Sequence, residues 1–141
     1  MTIPEHIHEI TQDFSLFGDD WEAKYEYLID LGKSLNGIPD HEKTDDRLIK
    51  GCQSRLWLVS TLENGRVLFK ADSDAIITRG IVALFIKILS NQPAAEVVNA
   101  NLDFISEIGL KDHLSPTRAN GMLSLIRQMK MDALALQSKM Q

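Results

Sequence analysis

The sequence predicts an α+β fold in which a small antiparallel sheet packs against several helices. Three observations predict it. Apolar residues recur at helical spacings near both ends of the chain, at Ile3, Ile7, Ile10, Phe14 and Phe17 and again from Met122 to Leu136. Two β-prone runs, Leu56-Trp57-Leu58-Val59 and Val67-Leu68-Phe69, flank an Asn64-Gly65 pair, the strongest short-range hairpin signal. Beyond the second run, residues 75–89 are apolar around most of a helical circumference, which suits a central buried helix.

The first stripe predicts a helix that Gly18 interrupts. Asp19 or Asp20 then caps a second helix carrying Trp21, Tyr25, Leu28, Gly32 and Leu35, with Gly32 suited to close packing. Asn36-Gly37 ends that helix and Pro39 forbids its immediate resumption. Residues 40–47 are polar and read as an exposed loop. Strands are expected at about 55–62 and 66–71, after which Asp72-Ser73-Asp74 offers a cap to the long apolar helix. Pro93 fits the first turn of a short helix, and residues 103–108 form another that Gly109 ends. Ser115-Pro116 opens the last helix, with Met122, Leu125, Ile126, Met129, Ala133 and Leu136 on one face. With no linker, repeat or low-complexity segment, residues 1–141 are expected to form a single domain.

Composition narrows the function classes. Hydrophobic residues make up 44% of the 141, enough for a core without staples, and the charged quarter is ordinary for a globular chain. A net charge of −5 opposes general nucleic-acid binding and adhesion to an anionic membrane. Residues 1–17 lack a basic start and an uninterrupted apolar core, so no ordinary secretory signal is expected there. The apolar stretch at 81–89 is broken by Lys87 and is too short to span a bilayer. A single cysteine forms no internal disulfide, and a cytoplasmic setting is expected.

That cysteine, Cys52, is the candidate working residue. A lone cysteine is commonly a small buried hydrophobe. Here, however, it stands between Gly51 and the polar pair Gln53-Ser54, just before a strand, with Lys50 and Arg55 nearby. Glycine gives the backbone latitude, and neighbouring cations favour the thiolate, the nucleophilic form. Local sequence favours a reactive thiol, and an inert core thiol stays open as the alternative.

Spacing removes several chemistries. Arg55 stands where a Cys-x-x-Cys pair needs its second cysteine, and Leu58 stands where a phosphatase-type loop needs arginine. His6, His8, His41 and His113 carry no signature of a protease triad, and His6 and His8 read as surface residues. Zinc and iron–sulfur centres need several closely spaced sulfur or imidazole ligands, which are missing. A single thiol without such company suits a carrier better than a catalyst.

Four ordered blocks then resemble the SufE family of sulfur-acceptor proteins, over about residues 21–121. The central block is Ile49-Lys50-Gly51-Cys52-Gln53-Ser54-Arg55-Leu56-Trp57, similar to the family's Gly-Cys-Gln-Ser segment. Upstream stands Trp21-Glu22-Ala23-Lys24-Tyr25 followed by Leu31-Gly32. Downstream stand Asp72-Ser73-Asp74-Ala75 with Arg79-Gly80, and His113-Leu114-Ser115-Pro116-Thr117-Arg118 with Gly121.

The resemblance implies a SufE/IscU-like α+β frame and a sulfur-transfer role. A SufS-type cysteine desulfurase, dependent on pyridoxal phosphate, would hold sulfur as a persulfide. Cys52 would accept it, stimulating the desulfurase, and pass it to a downstream iron–sulfur scaffold. The chain would then be no enzyme itself and need no cofactor. Gly51, Gln53 and Ser54 would shape the loop, and Asp74 and Arg118 would face the desulfurase. Asp74 is equally suited to capping the following helix, and Trp21 and Trp57 read as core. Two alternatives remain: a docking regulator with an incidental cysteine, and an IscU-like scaffold, which one cysteine ligand does not suit.

Overall fold

A computed structural model describes residues 1–51 and 54–139. Helix α1 (Ile3–Leu16) begins in a reciprocal cap: Thr2 Oγ1 accepts the Glu5 N–H at 3.2 Å, and Glu5 Oε1 accepts the Thr2 N–H at 3.0 Å. Helix α2 (Trp21–Lys33) is capped by Asp20, whose carboxylate accepts the Ala23 N–H at 3.1 Å. Both helices bury one stripe, Ile3, Ile10 and Phe14 on α1 and Lys24, Leu28 and Gly32 on α2.

Strands β1 (Leu56–Glu63) and β2 (Arg66–Ser73) form the expected hairpin, in register from Leu56↔Ser73 to Glu63↔Arg66. Asn64 and Gly65 have φ of +53° and +77°, the left-handed pair that a two-residue hairpin turn requires. Helix α3 (Ile76–Leu89) follows and buries an almost continuous run of residues 80–85, then Ile88 and Leu89.

A third strand, β3 (Gln92–Pro93), pairs antiparallel with β2 through Arg66↔Pro93 and Val67↔Gln92, giving the order β1-β2-β3. Asn91, at φ +59°, makes the reversal after α3, and its N–H donates to Val67 O at 2.7 Å. Pro93 thus closes a short edge strand and also precedes α4 (Ala94–Val98). Helix α5 (Phe104–Glu107) is a single turn, and α6 (Pro116–Ser138) starts from Ser115, whose Oγ accepts the Arg118 N–H at 3.2 Å.

The sheet lies against α3 and α6, with α2 on the far side of α3. Gly32 and Gly80 make that helix crossing close. A Cβ on Gly80 would stand 2.3 Å from Leu28 O, and one on Gly32 would stand 2.9 Å from Gly80 N. Phe14, Leu28, Leu56, Val67, Phe85, Leu125 and Met129 fill one core that all these elements share. Truncating any of the larger ones costs a few kcal/mol, about 2–5.

Candidate functional site

Cys52 and Gln53 lie outside the described residues, so the site is built from the frame on either side of them. Leu48 pairs with Trp57 in an antiparallel bridge, and the Ile49 N–H donates to Leu56 O at 2.8 Å. The chain on either side of the cysteine, at Ile49 and at Leu56, is therefore held at adjacent points.

Each end of this loop is tied to a different element. On the entry side Gly51 has φ +90°, a conformation side chains resist, and its missing Cβ would stand 2.9 Å from Ser124 Oγ on α6. On the exit side the Arg55 N–H donates to Asp74 Oδ1 at 3.1 Å. The Asp74 N–H returns a bond to Arg55 O at 3.3 Å, and Ser73 Oγ donates to that same oxygen at 2.8 Å. Ser54 is half-buried between these ties.

These bonds correct the expected role of Asp74 as a helix cap. The residue preceding α3 is Ala75, without a side-chain cap bond, and Ser73 Oγ accepts the Ala75 N–H at 3.3 Å. The exposed Asp74 carboxylate serves the loop instead.

Behind Asp74 lies an ionic hub that anchors the strand–helix junction. Buried Asp72 stands 3.1 Å from Arg79 Nη1 and 3.3 Å from Lys43 Nζ, and accepts the Ser73 N–H at 2.8 Å. Arg79 also donates from Nε to Gly32 O at 2.9 Å and from Nη2 to Leu35 O at 2.8 Å, holding the C-terminal end of α2. Against the opposing cost of desolvation, Asp72 and Asp40 hold the Lys43 ammonium above the ordinary lysine range. The sequence offered Asp72 only as part of a helix cap, gave Arg79 no role and did not point to Lys43, because a lysine in a polar loop gives no sign of a distant buried partner.

Arg118 reaches the same neighbourhood from the start of α6. It is exposed, and it lines a small pocket with Ser54 and Thr78, floored by Leu56, Val82 and Leu125. The pocket's volume of about 20 Å³ suits one water-sized group. The segment leading into α6 is fixed from α2. Trp21 stacks on His113 with ring centroids 3.7 Å apart, the Tyr25 hydroxyl donates to His113 O, and His113 Nδ1 lies 2.8 Å from Gly109 O. Trp21, expected in the core, is half-buried against it and also serves as a stacking platform, with Lys24 Nζ 4.5 Å from its ring centre. Trp57 is buried, with Lys43 Nζ 5.2 Å from its ring centre.

On the other flank of the loop, Lys50, Ser124 and Arg127 line a polar groove with Asp46, Gln128 and Asp132. Among the described residues no cluster of His, Cys, Asp and Glu has the arrangement to hold a metal ion. No helix among them is long and apolar enough to cross a membrane.

A family model described as "SufE: Fe-S metabolism associated domain" matches residues 8–133. A SufE-like protein of Rhizobium meliloti (strain 1021) is 40% identical over 132 residues, 90% of this chain and 94% of that protein. A SufE-like protein of Synechocystis sp. is 34% identical over 136 residues, 96% of this chain and 85% of that protein. SufE-like protein 1 of Arabidopsis thaliana, named as chloroplastic/mitochondrial, is 36% identical over 97% of this chain, which spans 37% of that longer protein. The fold resembles the solution structure of a hypothetical protein from Thermus thermophilus, with a TM-score of 0.80 at 15% identity, covering 98% of this chain and 99% of that one.

Proposed function

The chain belongs to the SufE family, associated with Fe–S metabolism, and on that premise we propose that it accepts sulfur on Cys52 from a SufS-type cysteine desulfurase. The observation that carries this reading is the frame around the sole cysteine. The sequence puts Cys52 between Gly51 and the pair Gln53-Ser54, in a segment whose exit is clasped by Asp74 and whose entry lies against α6.

In the proposed transfer, the Cys52 thiolate attacks the terminal sulfur of the persulfide on the desulfurase cysteine. A new sulfur–sulfur bond forms on Cys52 as the old one breaks, and the bonding pair leaves with the desulfurase thiolate. The terminal sulfur keeps its proton, and no outside oxidant or reductant enters. Lys50 and Arg55, close in sequence, favour the attacking thiolate. Turnover of L-cysteine belongs to the pyridoxal-phosphate desulfurase; this chain acts as acceptor and activator without a cofactor of its own. The persulfide then goes to a downstream iron–sulfur scaffold.

A persulfide needs shelter between encounters. The pocket rimmed by Ser54, Thr78 and Arg118 is a suitable shelter beside the loop, and Asp74 and Arg118 are proposed to meet the desulfurase. Residues 1–141 act as one domain in this reading, in the cytoplasm. The test is to incubate the chain with an active desulfurase and L-cysteine and to ask whether Cys52 gains sulfur. A docking regulator would stimulate the desulfurase equally well after Cys52→Ser.

A further inference from the structure

The cations of this acidic chain are not spread evenly with respect to their partners. Among the described residues, those whose side chains have no hydrogen bond, ion pair or ring partner are Lys50, Arg55, Lys111, Arg118, Arg127 and Lys139. Four of the six stand at the cysteine loop. Lys50 and Arg55 are its two ends, Arg118 lines the pocket with Ser54, and Arg127 lines the groove with Lys50 and Ser124. All four are exposed. Most cations elsewhere are engaged within the molecule, among them Lys87 with Glu9, Lys70 with Glu42, Arg66 with Asn91 O and Lys130 with Ala100 O; Lys111 and Lys139 are the two exceptions among the described residues.

Carboxylates at this face are engaged as well. Asp74 holds the Arg55 N–H, Asp46 the Thr44 hydroxyl, and Asp132 the Ser60 hydroxyl and the Gln128 amide. Each of these carboxylates has a hydrogen-bond partner within the chain, whereas the four guanidinium and ammonium groups have none. A net charge of −5 makes a cationic face on this molecule a local feature, against the average.

We propose that Lys50, Arg55, Arg118 and Arg127 form a collar around the cysteine loop that docks on an acidic protein face, the one surrounding the persulfide-bearing cysteine of the desulfurase. This deepens the function proposed above and rests on it. Such a collar acts mainly on encounter: opposite charges orient the two partners so that the loop, and no other part of the chain, meets the donor. The attraction is screened within about 8–10 Å at 0.1–0.15 M salt, so it works at this face and fades steeply as salt rises.

The experiment measures the association rate constant of the full chain with the desulfurase by stopped flow, at about 0.02 and 0.3 M salt, alongside sulfur uptake by Cys52. The proposal expects the wild-type rate to fall on the order of tenfold or more with salt. Lys50→Glu and Arg127→Glu should each lower the low-salt rate several-fold and flatten its salt dependence. Lys139→Glu makes the same change in net charge roughly 22 Å along α6 from Ser124 and should leave the rate unchanged. Far-ultraviolet circular dichroism and melting temperature confirm that each variant is folded before its rate is compared.

Sulfur uptake with a salt-insensitive rate, or an equal loss in Lys139→Glu, overturns the collar while leaving the acceptor function standing. Failure of wild-type Cys52 to gain sulfur overturns the function and the collar together. A duplex oligonucleotide serves as an unrelated polyanion; binding it as tightly as the desulfurase would overturn the assignment to a protein face.

Discussion

Asp74 separates two roles that its position alone would confuse. Its carboxylate accepts the Arg55 N–H at 3.1 Å, one of three hydrogen bonds that fasten the loop's exit to the β2–α3 junction. Asp74→Ala removes that acceptor and leaves the other two bonds. Because the carboxylate is exposed, the lost bond contributes about 1 kcal/mol, below the value of a buried charged pair. About 1 kcal/mol multiplies the population of the open exit roughly fivefold. Asp74→Asn keeps an oxygen in place to accept the bond and removes only the charge. Amide hydrogen exchange at Arg55 should therefore accelerate roughly fivefold in Asp74→Ala and stay within about twofold of wild type in Asp74→Asn. Equal exchange in wild type and Asp74→Ala, or equal acceleration in both variants, would refute the clasp. Desulfurase activation provides the complementary reading, since a partner contact made through charge is lost in both variants.

Further predictions address the frame behind the loop. Asp72→Ala leaves Arg79 and Lys43 without their shared carboxylate; because both cations are partly exposed, the expected loss is about 2–3 kcal/mol, roughly 10 °C in Tm, by urea and thermal unfolding. A loss below about 1 kcal/mol would mean the hub is not what fastens the junction. His6, expected at the surface, is half-buried, and its Nδ1 is buried with no hydrogen-bond partner among the described residues. Burial, with the N-terminal ammonium and Lys87, depresses its pKa against the opposing pull of Glu9 and Glu5. The folded state thus binds this proton less readily than the unfolded one. The resulting stability is complete above the ordinary value of 6.5 and is lost as pH falls through the depressed folded value. Wild-type Tm should therefore drop more than that of His6→Leu between pH 7.5 and 5, and parallel profiles would contradict the assignment.

Legibility in the sequence followed the range of the interactions. Period and turn chemistry are local, so the α1 stripe, the Asn64-Gly65 hairpin and the buried α3 could be read directly. Strand β3 could not. Two residues ending in proline carry no strand pattern, and their pairing depends on the Asn91 reversal bringing them beside Val67. The capping role open to Asp74 falls to Ser73 instead: both are good capping types, and only the position of Arg55 decides between cap and clasp. The backbone latitude that Gly51 offers is used, at φ +90°, but the closeness of Ser124, which leaves no room for a Cβ, joins residues far apart in the chain and could not be read. Trp21 packs against the core, as an aromatic on an amphipathic stripe usually does, but its stacking on His113 depends on the distant segment before α6. The chemistry of the site was more legible than its geometry. Cysteine type, the flanking glycine and cations, and the absence of further ligands are properties of the sequence itself.

The most direct measurement is intact-protein mass spectrometry after incubation with a SufS-type desulfurase and L-cysteine, without reductant. A gain of whole sulfur atoms that is removed by reductant, and that is absent in Cys52→Ser, is the predicted result. No gain on the wild-type chain while the desulfurase demonstrably turns over, or an equal gain on Cys52→Ser, would contradict the claim that Cys52 carries the sulfur.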